Sequence, residues 1–277
     1  MLTSTAQGGA RRPPRSLRAE YDQFIEQRIE EYKDSLPRSD ILGIGDEAML
    51  ELAGADQLQL TEVVLRDQVD SIIRRRLRLP SFRRWRERHL ALRTAQSEPG
   101  HWGLAAHDPV TALGDLVEDG DVVLVIGAAD GACTLFLAAR GAQVRVADPD
   151  IAAVYGLENR AVSEQLGALI ECEVVRLEWL APELGAFAAC VVETGALAAM
   201  SAMERAALIQ RLKDATPPAG RHAVMPGGLG HGNGGSRLSS DAIRSLYSDW
   251  DVLRHHGHPG RKPRNAGFTA IRPAASE

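Results

Sequence analysis

The chain has 277 residues, 44% of them hydrophobic and 25% charged, with a formal net charge of −5. That is enough for one large domain or two small ones and is ordinary for a soluble globular protein. No apolar run approaches the roughly 20 residues that a membrane-spanning helix needs, so no membrane partner is expected. Three cysteines (Cys133, Cys172, Cys190) are an odd number without metal-type spacing; they read as buried free thiols of a reducing cytoplasm, and no metal is expected.

Residues 1–18 contain Gly8-Gly9 and Arg11-Arg12-Pro13-Pro14-Arg15 but no apolar stretch, as expected of a disordered leader and not of a secretory signal. Residues 19–95 have the pattern of a helical domain. Tyr21, Phe24, Ile25, Ile29, Tyr32 and Leu36 recur at steps of three and four, and Pro37 ends the stripe. Asp46 to Ala53 predicts a short second helix, with Met49, Leu50 and Leu52 inward. Thr61 is placed to cap a third helix that runs to about Leu77, with Val64, Leu65, Val69, Ile72, Ile73 and Leu77 inward. Pro80 breaks it, and Ser81 can cap a fourth with Phe82, Trp85, His89 and Leu92 on one face.

Charge is segregated within this domain. Residues 20–70 carry fourteen acids and four bases, and residues 74–93 carry nine arginines against Glu87. Trp85 among Arg83, Arg84, Arg86 and Arg88 has the aromatic interleaving of a surface for single-stranded nucleic acid. The nearly equal acidity of the preceding segment makes charge pairing between helices the stronger reading and nucleic acid unlikely. A homodimer or a protein partner through residues 19–95 stays open.

Residues 96–109 hold two prolines and two glycines and read as a linker. A helix from about Val110 to Leu116 leads into residues 110–272, where strands alternate with helices, and residues 273–277 form a tail. Val122 to Ile126 is an unbroken apolar run, as in a parallel strand buried on both faces. Gly127-Ala128-Ala129-Asp130-Gly131 is a turn of small residues, Thr134 to Arg140 is helical, and Gln143 to Ala147 is a second strand with Asp148 at its carboxyl end. Small residues after the first strand and an acid after the second make a nucleotide-binding half-site, in which the turn exposes backbone N–H groups and the acid accepts ribose hydroxyls. The dinucleotide fingerprint G-x-G-x-x-G fails, because Ala129 and Ala132 stand where two of its glycines would be. No Gly-Lys-Ser/Thr follows, which excludes a P-loop.

Gly127 and Gly131 fit two positions of G-x-G-x-G, with Asp148 21 residues beyond Gly127. This spacing resembles motifs I and II of class I S-adenosylmethionine (SAM) methyltransferases. The resemblance continues through Val174 to Leu180 as third strand and adenine-bordering turn, and through Phe187 to Val192 as fourth strand with Glu193-Thr194-Gly195 after it. Pro217 to Val224 is similar to the leader and fifth strand, Ala242 to Asp251 to the last helix and sixth strand of the tellurite-resistance (TehB-like) branch, and Gly267 to Arg272 to a closing strand. The resemblance implies a Rossmann-like class I methyltransferase sheet with helices on both faces, preceded by an all-helical domain. It implies SAM as cofactor, bound by Gly127, Ala128, Ala129, Gly131, Asp148, Pro149, Leu177, Glu178 and Glu193. It further implies a cytoplasmic enzyme transferring a methyl group to a small-molecule acceptor.

The chain departs from the family's pattern at several points. Val125 stands where an acid usually lies two residues before the first glycine, Ala129 replaces the middle glycine, and Ala188 replaces an acid. Arg176 replaces an aspartate of the TehB-like branch, and Pro218-Ala219-Gly220 replaces Pro-Gly-Gly. Each charge-assisted hydrogen bond contributes about 1.5–3 kcal/mol, so two lost carboxylates would weaken a cationic cofactor on the order of a hundredfold. A degenerate methyltransferase fold serving as a binding or scaffold module is therefore the alternative. Methyl transfer needs alignment more than a fixed catalytic group; Glu193 is the candidate base. His101 and Trp102 could close over a cofactor or pack between domains, and His222 reads as structural. Residues 226–235, with six glycines, read as a substrate lid or a plain surface loop.

Overall fold

The computed structural model describes residues 16–53, 62–128, 130–179, 187–226, 238–255 and 267–274. Thr61, Ala129 and all but the first residue of the glycine-rich segment lie outside them. The chain divides into two compact units between Leu92 and Arg93.

The first unit is helical: α1 (Leu17–Ser35), α2 (Arg38–Ala53), α3 (Glu62–Arg76) and the start of α4 (Phe82–Gln96). Ser16 caps α1 through the Ala19 N–H, and Leu36 and Pro37 end it. Its core is Tyr21, Ile25, Ile29, Ile44, Ala48, Ile72, Ile73 and Trp85. Two expectations are corrected. The second helix is twice the predicted length, because Gly43 and Gly45 weaken the local helical signal while Ile44 packs inward. Its buried residues are Ile44 and Ala48, whereas Met49 and Leu50 face solvent. Trp85 is 5% exposed and stacks on His89 and Phe82, so it offers no ring to a base. The pairing expected between helices accounts for part of the arginine run, with Arg75 on Glu51 at 2.7 Å and Arg76 on Glu47.

The second unit is α/β. Its elements are α5 (Pro109–Gly114), β1 (Val122–Ile126), α6 (Ala132–Ala139), β2 (Gln143–Asp148), α7 (Ile151–Ser163), β3 (Ile170–Val174) and β4 (Ala189–Glu193). They continue with α8 (Ala202–Ala215), β5 (Arg221–Met225), α9 (Ser240–Arg244), β6 (Asp251–Arg254) and β7 (Phe268–Ile271). The strands form one sheet in the order β3-β2-β1-β4-β5-β7-β6. β7 is antiparallel to both β5 and β6, and the other pairings are parallel. This is the Rossmann-like class I methyltransferase sheet expected from the sequence. Alternation along the strands divides the core between two faces, one with Val123, Val125, Val146 and Val191, the other with Leu124, Ile126, Ala147 and Val192.

The third strand lies four residues earlier than predicted. β3 is an edge strand bonded only to β2, so it alternates half-buried Ile170 and Cys172 with exposed Glu171 and Glu173 in place of a solid apolar run. Cys172 is consequently only half-buried, unlike Cys133 and Cys190. The segment expected to be a linker is packed. A 3-10 turn over Pro99–Trp102 puts the Trp102 ring in the core, its Nε1–H donating to the Gln96 carbonyl at 2.7 Å, and Gln96 donates to the Glu164 carbonyl and carboxylate. No described helix is long and apolar enough to cross a membrane.

Candidate functional site

Register brings the central residues together. Ile126 pairs with Ala147 of β2 and with Val192 of β4. The next residue on each strand is Gly127, Asp148 and Glu193, so these three stand side by side at the carboxyl edge of the sheet. Ligands of doubly wound sheets bind at that edge.

The turn after β1 depends on its two glycines. Gly127 has φ +105° and Gly131 φ +73°, both in the left-handed region. A Cβ on Gly127 would lie 2.9 Å from the Glu193 Cβ and 3.1 Å from the Ala196 Cβ. One on Gly131 would lie 2.8 Å from Leu157 Cδ1. Asp130 ends the turn, its Oδ1 accepting from the Ala132 N–H at 3.0 Å to start α6. Arg160 of α7 donates to the Asp130 carbonyl at 2.6 Å, and its guanidinium lies 5.7 Å from the centre of the Trp102 ring. Trp102 therefore braces the turn through Arg160.

Asp148 is 5% exposed. Its Oδ2 accepts from the Ala128 N–H at 2.6 Å and its Oδ1 from the Asp150 N–H at 2.7 Å. Each oxygen keeps a second lone pair, so the carboxylate holds the turn and can still accept one hydroxyl at each oxygen. Asp150 caps α7 through the Ala152 and Ala153 N–H groups, and Pro149 between the two acids is exposed.

Glu193 is the most perturbed acid of the site. Burial pushes its carboxyl up to about 8, Asp130 and Asp148 add to the rise, and a hydrogen bond with the Cys133 thiol opposes it. Its Oε2 is buried with no hydrogen-bond partner among the described residues. Buried polar atoms are nearly always partnered, so an orphaned carboxyl oxygen at the ligand edge is the mark of a missing cation or donor. Three acids thus surround a glycine turn whose Gly127, Ala128 and Gly131 N–H groups donate to the Ala147 carbonyl, Asp148 and the Ala128 carbonyl; the acids supply acceptors that suit a ligand bearing hydroxyls and positive charge.

The other expected residues lie farther round the edge. Leu177 is buried in a 3-10 turn after β3, in the same core face as Ile126 and Ala147. Arg176 pairs with Glu178 and lies 4.5 Å from the centre of the Trp179 ring, and Arg211 of α8 donates to the Leu177 and Glu178 carbonyls. No hydrogen bond or ion pair among the described residues joins Glu178 to the Gly127–Asp148–Glu193 row. Val125, at the family's acidic position, is fully buried on β1 with Val146 and Val191 as strand partners. Ala129 lies outside the described residues. Sequence reasoning missed Asp130 and Cys133 as neighbours of Glu193; the acid immediately before the start of α6 was the available signal.

The sheet order is that of the Rossmann-like class I methyltransferase fold. No protein-family model matches the chain, and no curated protein matches it in sequence. Among solved structures, a SAM-dependent methyltransferase from Methanosarcina mazei is similar at 16% identity and TM-score 0.46, covering 59% of this chain and 97% of that one. TehB from Haemophilus influenzae is similar at 15% identity and TM-score 0.46, covering 59% and 61%. A TehB-like SAM-dependent methyltransferase from Corynebacterium glutamicum is similar at 14% and 0.45, covering 69% and 95%.

Proposed function

We propose that the α/β unit binds SAM along the Gly127–Asp148–Glu193 row and transfers its methyl group to a small-molecule acceptor. The observation that carries the reading is the orphaned, buried Oε2 of Glu193, beside a glycine turn held by Asp148. SAM supplies an activated methyl on a sulfonium cation. The spare lone pairs of Asp148 accept from the ribose hydroxyls. Asp130 and Asp148 favour a cation at this edge, and a bound cation favours ionisation of Glu193 as well, which offsets in part the acid missing at Val125. A carboxyl titrating near 8 can also accept a proton from an acceptor amine or hydroxyl at neutral pH, which makes Glu193 the candidate base. In this reading Leu177 and Glu178 complete the site on its β3 side. The domain boundaries follow the same reading, with residues 19–95 as a helical domain and 110–272 as the methyltransferase domain.

The test is calorimetric titration of the full chain with SAM and its demethylated product, alongside Asp148→Ala. Micromolar binding abolished by Asp148→Ala is expected. Absence of heat with either ligand at millimolar concentration would overturn the reading and favour a degenerate fold used as a scaffold, for which the buried Val125 speaks.

A further inference from the structure

The arginine run splits into two halves with different fates. Arg75 and Arg76 of α3 meet Glu51 and Glu47 of α2. The side chains of Arg78, Arg83, Arg84 and Arg88 make no ion pair or hydrogen bond among the described residues, and all four residues are exposed. They line one concave site with Leu79, Pro80 and Ser81, about 430 Å³ in volume, at the turn from α3 to α4. Charge pairing therefore accounts for Arg75 and Arg76 and leaves the arginines of this turn without an acidic partner among the described residues.

The position of these charges is unfavourable to the fold alone. The N-terminus of a helix carries partial positive charge, which acids relieve and bases aggravate. The first turn of the 15-residue α4 holds Arg83 and Arg84 and no acid. Four guanidinium groups around a helix N-terminus are costly without an anion and strongly attractive to one. Guanidinium forks match the oxygens of carboxylate and phosphoryl groups bidentately, and the higher charge of a phosphoryl group suits four clustered arginines better. The burial of Trp85 removes the base-stacking partner, so recognition here rests on phosphate.

We infer that the Arg78–Arg88 concavity is a phosphoryl-binding site, independent of the methyl-transfer reading. The phosphoryl group could belong to a small phosphorylated ligand or to a nucleic-acid backbone, and the two sources are separable. The full chain is titrated with inorganic pyrophosphate by calorimetry and with a labelled single-stranded RNA by fluorescence anisotropy across a salt series. Two triple variants accompany it: Arg83→Gln/Arg84→Gln/Arg88→Gln within the site, and Arg74→Gln/Arg86→Gln/Arg93→Gln, which removes equal charge outside it. Circular dichroism confirms that both fold. One-to-one pyrophosphate binding, weakened at least about tenfold by the first triple and retained by the second, supports the site and a small ligand. RNA binding with the same dependence on the variants, and a slope of log affinity on log salt of about −0.7 per phosphate, supports the site and a polymeric one. Absence of binding in both arms, or equal loss in the two triples, overturns the inference.

Discussion

Glu193 carries the sharpest consequence at the scale of single residues. Its carboxyl titrates near 8 in the fold against an ordinary 4.5, so between those values the folded chain holds a proton that the unfolded chain has lost. Stability from this group is complete below about 4.5 and declines as pH rises through 8. Urea denaturation from pH 6 to 9 should show the decline, and Glu193→Gln, which keeps the shape without the charge, should flatten it. The same proton couples to binding. A cation beside Oε2 favours the ionised form, so SAM binding at pH 7 should release a proton and tighten as pH approaches 8. Calorimetry in buffers of different ionisation enthalpy reads the release directly, and identical heats in all buffers would rule out this role. Ala219 makes a second, simpler case. Its φ of +61° is left-handed, and it stands where the family has glycine. Left-handed backbone costs an L-residue about 1–2 kcal/mol, of which the added chain freedom of glycine cancels part. Ala219→Gly is expected to stabilise by about 0.5–1 kcal/mol in equilibrium unfolding, with ligand binding unchanged.

At the scale of elements, His222 ties β5 to the segments that cover it. Thr216, just after α8, donates its hydroxyl to the Leu212 carbonyl at 2.6 Å and so must accept from His222 Nε2 at 2.7 Å. The ring is then the Nε2–H tautomer, and its Nδ1 accepts from the Tyr247 hydroxyl at 2.8 Å. Every polar atom of this buried set is used, which fits the structural role read from the sequence. Burial holds the imidazole down to about 3. The unfolded chain binds this proton below about 6.5 and the folded chain does not, so stability is present above that value and falls by up to about 1.4 kcal/mol per unit toward pH 3. Tyr247→Phe leaves Nδ1 unpaired and is expected to cost about 1–3 kcal/mol in urea unfolding at pH 7; a cost near zero would show that the bond is not formed. What the sequence revealed follows the same element logic. β1, its glycine turn, β2 and Asp148 were legible because buried parallel strands leave solid apolar runs that glycines punctuate. β3 was misplaced because an edge strand alternates, and the first half of α2 was hidden by Gly43 and Gly45. The sequence singles out Trp102 as a ring that closes over a cofactor or packs between domains, but its place in the α/β core was not legible, since it is reached through a 3-10 turn in a segment that reads as a linker. Of the candidate row, Gly127 and Asp148 were proposed from spacing and Glu193 from the resemblance, whereas their alignment side by side needed the sheet register.

At the scale of the molecule, two units with separate cores have unequal means of stability. Among the described residues the helical unit buries eight core residues, and the two faces of the α/β sheet bury forty. Apolar burial contributes about 25 cal/mol per Å², and the ion pairs on the helical unit are largely exposed, where each contributes about 0–1 kcal/mol. The smaller core should therefore open first, and a single two-state transition is not expected of the whole chain. Trp85 reports on the helical unit, while Trp102 and Trp250 report on the α/β core. In urea, far-UV circular dichroism should lose part of its helical signal before the emission of Trp102 and Trp250 shifts. Trp85→Phe should remove the early fluorescence change and leave the later one in place. SAM, if bound as proposed, should move only the later midpoint upward, and pyrophosphate only the earlier one. Coincident transitions by both probes, moved together by either ligand, would show instead that the units unfold as one cooperative body.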